Sequence, residues 1–367
     1  MKKILLWLTV LVMCTLMVSV LSLYGCKKMD VLAAEKVNPL ALALEFAERA
    51  IGGETVEYTG TAGVTIGVVM PQLDNDGWFA IYIGALSKII ETGADLVTLD
   101  ARNSVDNQLA MVEDLITKKV DAIVFVPVDS AALSTGVIKA NEAGIPVVLM
   151  DRSTEGGEVT ALVESNNVTI GMKGAELMVE MAEKLGLKVE ELKILEIVGD
   201  LATSAGQERH EGFSSKAAEL GLNVVLEAPA YWDVAKANAA VLDAFQAHPE
   251  INAIYMASGC AYYSGVESAL KSMGKLIPRE QEGRILLIST DGCPAPLQAI
   301  RDGYVDAESA QQLVTMGSKA IEIAFNAAKG KLPEEKIIRL DPDPITPDNV
   351  DDMFHWANQL EAARATK

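Results

Sequence analysis

Short apolar runs alternate with amphipathic helical segments along most of this 367-residue chain. The apolar runs cover residues 64–70, 95–99, 122–128, 146–150, 193–198, 223–226, 253–257 and 284–289. One of the intervening segments has the spacing of a single buried helical face, in Val105, Leu109, Val112 and Ile116. Runs that are apolar on both faces are typical of parallel strands covered by helices on each side. The sequence therefore predicts an α/β fold with doubly wound parallel sheets.

The same alternation indicates two similar lobes. Four strand-helix units precede Ser153, and a second series starts near residues 158–165. A chain of this length with 50% hydrophobic residues can fill two cores. Ligands of such sheets bind at the carboxyl ends of the strands, so the polar residues at those ends are the candidates for a binding site.

The amino terminus has the pattern of an export signal. Lys2 and Lys3 precede an uncharged apolar run over residues 4–23, and Leu23-Tyr24-Gly25-Cys26 follows. A run of this length could also stay in a bilayer as an uncleaved helix. Leu23 and Gly25 before Cys26 instead favour a lipobox, in which the cysteine receives lipid and the signal is removed. We expect a lipoprotein signal over residues 1–26 and an extracytoplasmic, lipid-anchored protein.

After this signal, residues 27–61 are expected to form a tether with one short helix near residues 40–51. The folded body is expected to begin near Gly63. If Cys14 leaves with the signal and Cys26 carries lipid, Cys260 and Cys293 remain. Each follows an apolar run, and outside the cytoplasm two thiols can bridge. A disulfide and two unpaired buried thiols both remain open at this point.

The charge and the histidines exclude several classes of function. Lys and Arg total 31 against 51 Asp and Glu, and a formal charge of -20 disfavours nucleic acid as a partner. The three histidines, at 210, 248 and 355, lack the spacing of metal ligands. The sequence contains no phosphate-binding glycine loop and no nucleophile elbow. We therefore expect neither an enzyme nor a bound metal or cofactor.

Polar and aromatic residues gather at the predicted strand ends. They include Asn75, Trp78, Phe79, Asp151, Arg152, Arg209, Trp232, Asp291 and Gln311. Carboxylates, guanidinium groups and amides hydrogen-bond sugar hydroxyls, and aromatic faces cover the C–H surface of a sugar ring. The set therefore favours a carbohydrate ligand.

Taken singly, several of these residues have ordinary structural explanations. Asp151 and Arg152 could form a surface ion pair, and Trp232 could be a core aromatic. Arg209 could pair with Glu208 or Glu211 along a helix. Only their common position at strand ends favours binding.

Several motifs resemble those of the ribose-binding protein family. They are residues 68–79 (VVMPQLDNDGWF), Asp151-Arg152, residues 203–213 (TSAGQERHEGF), Ala247-His248-Pro249 and Thr290-Asp291-Gly292, in family order from about Gly63 to Leu340. The resemblance implies the type I periplasmic-binding-protein fold, with two lobes joined by three crossovers that shut on a sugar. The expected first lobe comprises residues 62–165 and 312–340. The expected second lobe comprises residues 166–311 and 341–367, with a terminal helix packed on it.

The resemblance also assigns roles to individual residues. Asn75 would bond a hydroxyl group, and Trp78 or Phe79 would stack on the ring. The remaining matches are Asp151, Arg152, Arg209, Trp232, Asp291 and Gln311, with Asn167 at a further contact position. Where the family has Asn-Asp after a strand, this chain has Ser258-Gly259. Tyr262 or Tyr263 could replace the missing donor.

The function implied by this resemblance is capture of a monosaccharide or sugar alcohol for an ABC importer. The expected partners are the permease with its ATPase and the membrane, through lipid on Cys26, and the protein is expected to be a monomer. The alternative is a receptor for a sugar or autoinducer-2 that signals to a membrane sensor. Related sugar-responsive repressors carry a DNA-binding segment where this chain has its signal.

Overall fold

The computed structural model describes residues 39–365, which form two lobes with one β-sheet each. Helices cover these sheets, and most neighbouring strands are parallel. The predicted two-lobe, doubly wound α/β fold is confirmed. The predicted signal, Cys26 and the first part of the predicted tether lie outside the described residues.

The strands of the first sheet are β1 (Val56–Tyr58), β2 (Thr65–Met70), β3 (Asp95–Asp100), β4 (Ala122–Phe125), β5 (Val147–Met150), β6 (Ala161–Ser165) and β12 (Ile337–Leu340). Their spatial order is β1-β3-β2-β4-β5-β6-β12, and β1 runs antiparallel to β3. The five central strands are buried on both faces because helices pack on each side. This explains their near-continuous apolar sequence.

The strands of the second sheet are β7 (Ile194–Val198), β8 (Val224–Pro229), β9 (Ala253–Met256), β10 (Leu286–Asp291), β11 (Ala307–Ala310) and β13 (Asp343–Ile345). Their order is β13-β11-β10-β9-β7-β8, with β13 antiparallel to β11. Strands 9 and 10 occupy the middle of this sheet and lead into the Ser258 and Asp291 loops.

Within residues 39–365, five α-helices belong to the first lobe: α1 (Pro39–Ile51), α2 (Asp76–Thr92), α3 (Val105–Lys118), α4 (Ser134–Glu142) and α10 (Leu313–Ala328). Five belong to the second: α5 (Asn167–Lys184), α6 (Ser204–Glu219), α7 (Val234–Ala247), α8 (Gly259–Ser272) and α9 (Pro294–Arg301). Glycines at or just after the ends of five helices have positive φ: Gly93, Gly144, Gly186, Gly221 and Gly274. At Gly93, the amide donates to the carbonyls of Ile89 and Ile90 and closes α2.

The chain passes between the two sheets three times, at residue 166, residues 311–312 and residues 341–342. Each crossover follows the carboxyl end of a strand. Asn166 Nδ2 donates to Asp341 Oδ1 over 2.8 Å, and Gln312 Nε2 donates to the Asp341 carbonyl over 2.9 Å. Polar side chains therefore link the first and second crossovers to the third, where the carboxyl edges of the two sheets meet.

The folded body begins earlier than the expected start near Gly63. Helix α1 buries Leu42 and Phe46, and β1 pairs with β3 in the first sheet. The stretch expected to be a tether therefore supplies a helix and a strand to the first lobe, because one face of α1 is apolar enough to pack on α2. Strand β6 lies in the first sheet, so the second series of strands begins after residue 165, as the expected first lobe of residues 62–165 implies.

The carboxyl-terminal helix α11 (Trp356–Ala365) contacts both lobes. It packs on α9 of the second lobe and on α1 and α2 of the first. Arg364 Nη2 lies 2.5 Å from Asp76 Oδ1 at the start of α2. The expected packing on the second lobe thus describes only part of its contacts.

We predict that Phe46→Ala lowers the free energy of unfolding by about 3–5 kcal/mol, because the ring is buried and its loss leaves a cavity. The matched control is Phe354→Ala, which removes a ring that is 53% exposed and should cost less than about 0.5 kcal/mol. Urea denaturation measures both. Equal, small effects would mean that α1 does not belong to the core of the lobe.

Candidate functional site

A buried ion pair lies at the carboxyl end of the second sheet. Arg209 on α6 places Nη1 2.8 Å from Asp291 Oδ1 at the end of β10, and both side chains are about 5% exposed. The pair spans 82 residues of sequence. Arg209 is therefore held by Asp291 and not by Glu208 or Glu211 beside it on the helix.

Further hydrogen bonds satisfy this ion pair. Arg209 Nε donates to Asn167 Oδ1 over 2.9 Å, and Nη1 also donates to the Ala257 carbonyl over 2.8 Å. Asp291 accepts from Gln311 Nε2 over 2.8 Å and from Ser258 Oγ over 2.5 Å. A buried ion pair is stable only when such bonds offset the loss of water, and removing one partner typically costs about 3–5 kcal/mol.

Gln311 connects this cluster to the crossovers. Its Oε1 accepts a hydrogen bond from Ser165 Oγ of the first lobe over 2.7 Å, while its Nε2 donates to Asp291. Both ends of the amide are therefore occupied. A movement between the lobes at this crossover would shift Gln311 and with it a hydrogen bond to the Asp291 carboxylate.

Trp232 lies beside Arg209 on a platform formed by Tyr262. The Arg209 guanidinium is 5.8 Å from the centre of the Trp232 ring, and the Trp232 and Tyr262 rings stack 6.0 Å apart. Tyr262 Oη accepts from the Trp232 amide and donates to the Val198 carbonyl. Gly199 leaves room for the indole, since a Cβ there would lie 2.2 Å from Trp232 Cη2.

The suggestion that Tyr262 or Tyr263 replaces the missing amide donor is not supported by these contacts. Tyr262 is fully buried and uses its hydroxyl group to hold Trp232. Tyr263 is also buried and directs its hydroxyl group toward Glu267. Ser258 occupies the position instead, and its hydroxyl group binds Asp291.

The first lobe carries a second group of candidate residues. Asn75 Oδ1 caps α2 by accepting from the amides of Gly77 and Trp78. Trp78 is partly buried, and the Arg152 guanidinium lies 5.1 Å from the centre of its ring. Arg152 Nε is 3.3 Å from Asp151 Oδ2. Of the two aromatics in this motif, Trp78 has surface left for a ligand, because Phe79 is only 4% exposed and packs in the core.

Three candidate residues have backbone conformations that side chains rarely adopt. The φ angles are 63° at Asp151, 57° at Trp232 and 91° at Asp291. Non-glycine residues with positive φ are uncommon, and such strain is concentrated at functional sites. The conformations therefore mark the same strand ends that the sequence indicated.

Two contributors to the site were not identified from sequence. Ser258 was noted only as a departure from the family pattern, yet it binds Asp291. Trp356 on α11 donates from Nε1 to the Asp291 carbonyl over 2.8 Å, from 65 residues away. No local sequence pattern predicts a hydrogen bond between residues so far apart in the chain. The indole thus fixes the backbone of Asp291, while Arg209, Gln311 and Ser258 hold its side chain.

Cys260 and Cys293 form a disulfide, with Cα atoms 5.5 Å apart. Of the two alternatives left open by the sequence, the structure contains the bonded one. The cysteines lie two residues after Ser258 and Asp291, respectively. The bond therefore joins the two loops that hold these residues.

His210 on α6 is a partly buried residue. Its Nδ1 lies 3.0 Å from Oε1 of the buried Glu196, and this hydrogen bond raises the pKa of the imidazole. Across residues 39–365, no group of three or more His, Cys, Asp or Glu is arranged to hold a metal ion. In the same part of the chain, no helix combines the length and apolarity needed to cross a bilayer.

Glu308 is a buried carboxyl group behind the Ser258 and Asp291 loops. It lies on β11 beside Ser289 of β10, and a Cβ at Gly259 would be 2.6 Å from its Oε1. Burial raises the pKa of Glu308 well above its ordinary value. A neutral Glu308 avoids placing a second negative charge behind Asp291.

The sequence of this chain is similar to those of known proteins. The sequence profile of the periplasmic binding protein domain matches residues 66–332. The ribose import binding protein of Bacillus subtilis is 35% identical over 274 residues, which cover 74% of this chain and 84% of that protein. This chain belongs to the periplasmic binding protein family. The resemblance to ribose-binding proteins of this family is therefore confirmed.

Other members of the family match over similar lengths. The D-allose-binding periplasmic protein of Escherichia coli is 28% identical and covers 82% of this chain and 95% of its own. The crystal structure of an ABC transporter solute binding protein from Bacillus halodurans, with bound myo-inositol, superposes with a TM-score of 0.65. That protein is 27% identical, and the match covers 81% of this chain and 100% of the other. This chain and that solved binding protein therefore share one fold.

We predict that the free energy of unfolding of Glu308→Gln increases relative to that of wild type as pH rises. Unfolded Glu titrates near its ordinary value of 4.5, whereas folded Glu308 keeps its proton to higher pH. The wild-type protein therefore loses stability as pH rises above 4.5 toward the folded pKa, and Gln, which cannot ionise, does not. The measurement is urea denaturation of both proteins between about pH 4 and about pH 7.

The control for this series is Glu335→Gln, which changes an exposed carboxyl group. Its difference from wild type should change much less over the same pH range. A constant difference between Glu308→Gln and wild type would contradict the raised pKa.

Proposed function

We propose that this chain is an extracytoplasmic binding protein that holds one monosaccharide or sugar alcohol between its lobes and delivers it to an ABC importer. The observation that carries this proposal is the Arg209–Asp291 pair beside Trp232, at the edge where the two sheets meet. Charged hydrogen-bonding groups next to aromatic faces are suited to sugar hydroxyls and the C–H surface of the ring. Binding, not catalysis, is the activity proposed.

The charges of the site support a neutral ligand. Arg209 is paired with Asp291, and Arg152 is paired with Asp151. Each guanidinium group is therefore matched by a carboxylate, and a charged ligand would leave one of these groups unbalanced. Neutral hydroxyl groups can accept from the cations and donate to the carboxylates without changing this balance.

The names of relatives narrow the ligand class. A relative is named for ribose import, another for D-allose binding, and a solved structure contains myo-inositol. We therefore propose a pentose, a hexose or a cyclic polyol. Because Ser258 stands where the ribose-binding family has an amide, the hydroxyl pattern of the ligand is proposed to differ from that of ribose.

Closure of the lobes about the three crossovers is the proposed mechanism. A ligand shifts such an equilibrium only through contacts that are better in the closed state. Arg152 belongs to the first lobe and Arg209 to the second, so a ligand that contacts both favours closure. Gln311 links the crossover to Asp291 and would transmit the movement.

We predict that the chain from Lys27 onward binds one sugar or polyol with micromolar or tighter affinity. The measurement is calorimetric titration with pentoses, hexoses, pentitols, inositols and autoinducer-2. Arg152→Ala and Arg209→Ala should each weaken binding by about ten- to hundredfold, because each removes a charged hydrogen-bond donor. Arg152 is the more informative variant, because it is half-exposed and its loss should leave the fold intact.

The matched control is Arg49→Ala, which removes a guanidinium group from α1 and should leave the affinity unchanged. Binding of autoinducer-2 alone would favour a receptor that signals to a membrane sensor. A folded protein that binds nothing in the panel would contradict the sugar assignment.

The proposed location rests on the lipobox pattern at residues 23–26, with lipid on Cys26 as the anchor and a monomeric body outside the membrane. We predict that Cys26→Ser abolishes the incorporation of labelled fatty acid into the full chain and leaves the apolar run over residues 4–23 attached, because removal of the signal depends on the lipid-bearing cysteine. Labelling of cells producing each version, with the size of each product compared on a gel, measures this. Unchanged labelling would place the lipid elsewhere and remove Cys26 from the proposal.

A further inference from the structure

The disulfide lies where the pairing of two central strands stops. The pairing of β9 with β10 starts at Ala253 opposite Leu286 and ends at Tyr255 opposite Ile288. Beyond this point the two chains continue into the Ser258 and Asp291 loops. Within the described residues, the Ser258–Asp291 hydrogen bond and the Cys260–Cys293 bond link these loops.

The Ser258–Asp291 hydrogen bond and the disulfide follow each other along the two loops. Ser258 binds Asp291 over 2.5 Å, and the disulfide joins the residues two positions later on each chain. Ser258 also caps α8 by accepting from the Ala261 amide over 3.2 Å. The start of α8, with Cys260 in its first turn, therefore sets the position of the hydroxyl group that holds Asp291.

The loop that follows β10 needs such support. Asp291 has a φ of 91° and Gly292 a φ of 83°. A Cβ at Gly292 would lie 2.9 Å from Ala310 Cβ, so the backbone packs tightly against β11. A strained conformation of this kind persists only where the surrounding contacts fix it. Cys293 is the next residue after Gly292, and its side chain is buried.

We propose that the Cys260–Cys293 disulfide is a positioning element of the binding site. It holds the Ser258 loop at a fixed distance from Asp291, so that the carboxylate is already oriented when the ligand arrives. Preorganisation of this kind raises affinity because less conformational freedom is lost on binding. The inference rests on the proposed sugar-binding function and adds two residues that do not themselves touch the ligand.

The test compares wild type with the double variant Cys260→Ser, Cys293→Ala, which places a polar residue at the exposed position and an apolar one at the buried position. Calorimetric titration uses the sugar that wild type binds best. The expected result is an affinity about tenfold weaker in the variant, because the two loops must then become ordered on binding. An unchanged affinity would overturn the inference.

A double-mutant cycle with Ser258→Ala separates positioning from general stabilisation. In the oxidised protein, Ser258→Ala should weaken binding by about three- to tenfold, while in the variant without the disulfide it should add little. This is expected because a loose loop no longer holds the hydroxyl group against Asp291. Two effects that multiply independently would mean that the disulfide only stabilises the fold.

The matched control is Val241→Ala, which removes buried volume from α7 and lowers stability without touching these loops. It should leave the affinity unchanged even where its melting temperature falls. An equal loss of affinity in this control would attribute the effect of the disulfide to stability alone.

Wild-type protein reduced with a dithiol provides a second version without a substitution. The dithiol supplies two electrons and two protons, the protein gains two thiols, and the reagent becomes a cyclic disulfide. Affinity should fall on reduction and return on reoxidation with a disulfide reagent. A reduced protein that is folded and binds as well as the oxidised one would overturn the inference even if the double variant failed to fold.

These outcomes also separate this inference from the proposed function. If wild type binds a sugar and loses no affinity without the disulfide, the function stands and the positioning role is wrong. If oxidised wild type binds no sugar or polyol, both are wrong.

Discussion

The candidate site is organised around the carboxylate of Asp291. Arg209, Gln311 and Ser258 donate hydrogen bonds to its two oxygens, and Trp356 donates to its carbonyl. These donors come from a helix, a crossover, a neighbouring strand end and the terminal helix. A buried charge requires such partners, so the position of Asp291 depends on four separate parts of the chain. Its positive φ shows that the contacts outweigh an unfavourable backbone conformation.

The same network connects the candidate site to both lobes. Gln311 is bonded to Ser165 of the first lobe and to Asp291 of the second, and α11 contacts both lobes. The crossovers are also bonded to one another, because the side-chain amides of Asn166 and Gln312 both donate to Asp341. A ligand between the lobes would act on residues that are already coupled to the hinge, which is how a small molecule can change the relation of two large bodies.

Most of the architecture could be predicted from sequence because the central strands are apolar on both faces. The strands that were missed lack this signal. Strand β11 reads Ala-Glu-Ser-Ala although it is buried, and β13 is three residues long and contains Pro344. Strands β1 and β12 are short and lie at the edges of the first sheet. Polar residues at strand ends indicated where the candidate site would lie. The contacts of Ser258 and Trp356 could not be predicted, because they depend on distant segments meeting in space. The role of α1 in the first lobe was missed because an amphipathic helix does not reveal what it packs on.

The most direct test of this account is a crystal structure of the protein with the tightest-binding sugar or polyol from the titration panel. The account predicts a ligand between the lobes, with hydroxyl groups within hydrogen-bonding distance of Arg209 and Asp291 and a ring face against Trp78 or Trp232. It also predicts that Gln311 and Ser258 keep their bonds to Asp291. A ligand bound elsewhere, or between the lobes without contact to Arg209 and Asp291, would contradict the central role given to this ion pair.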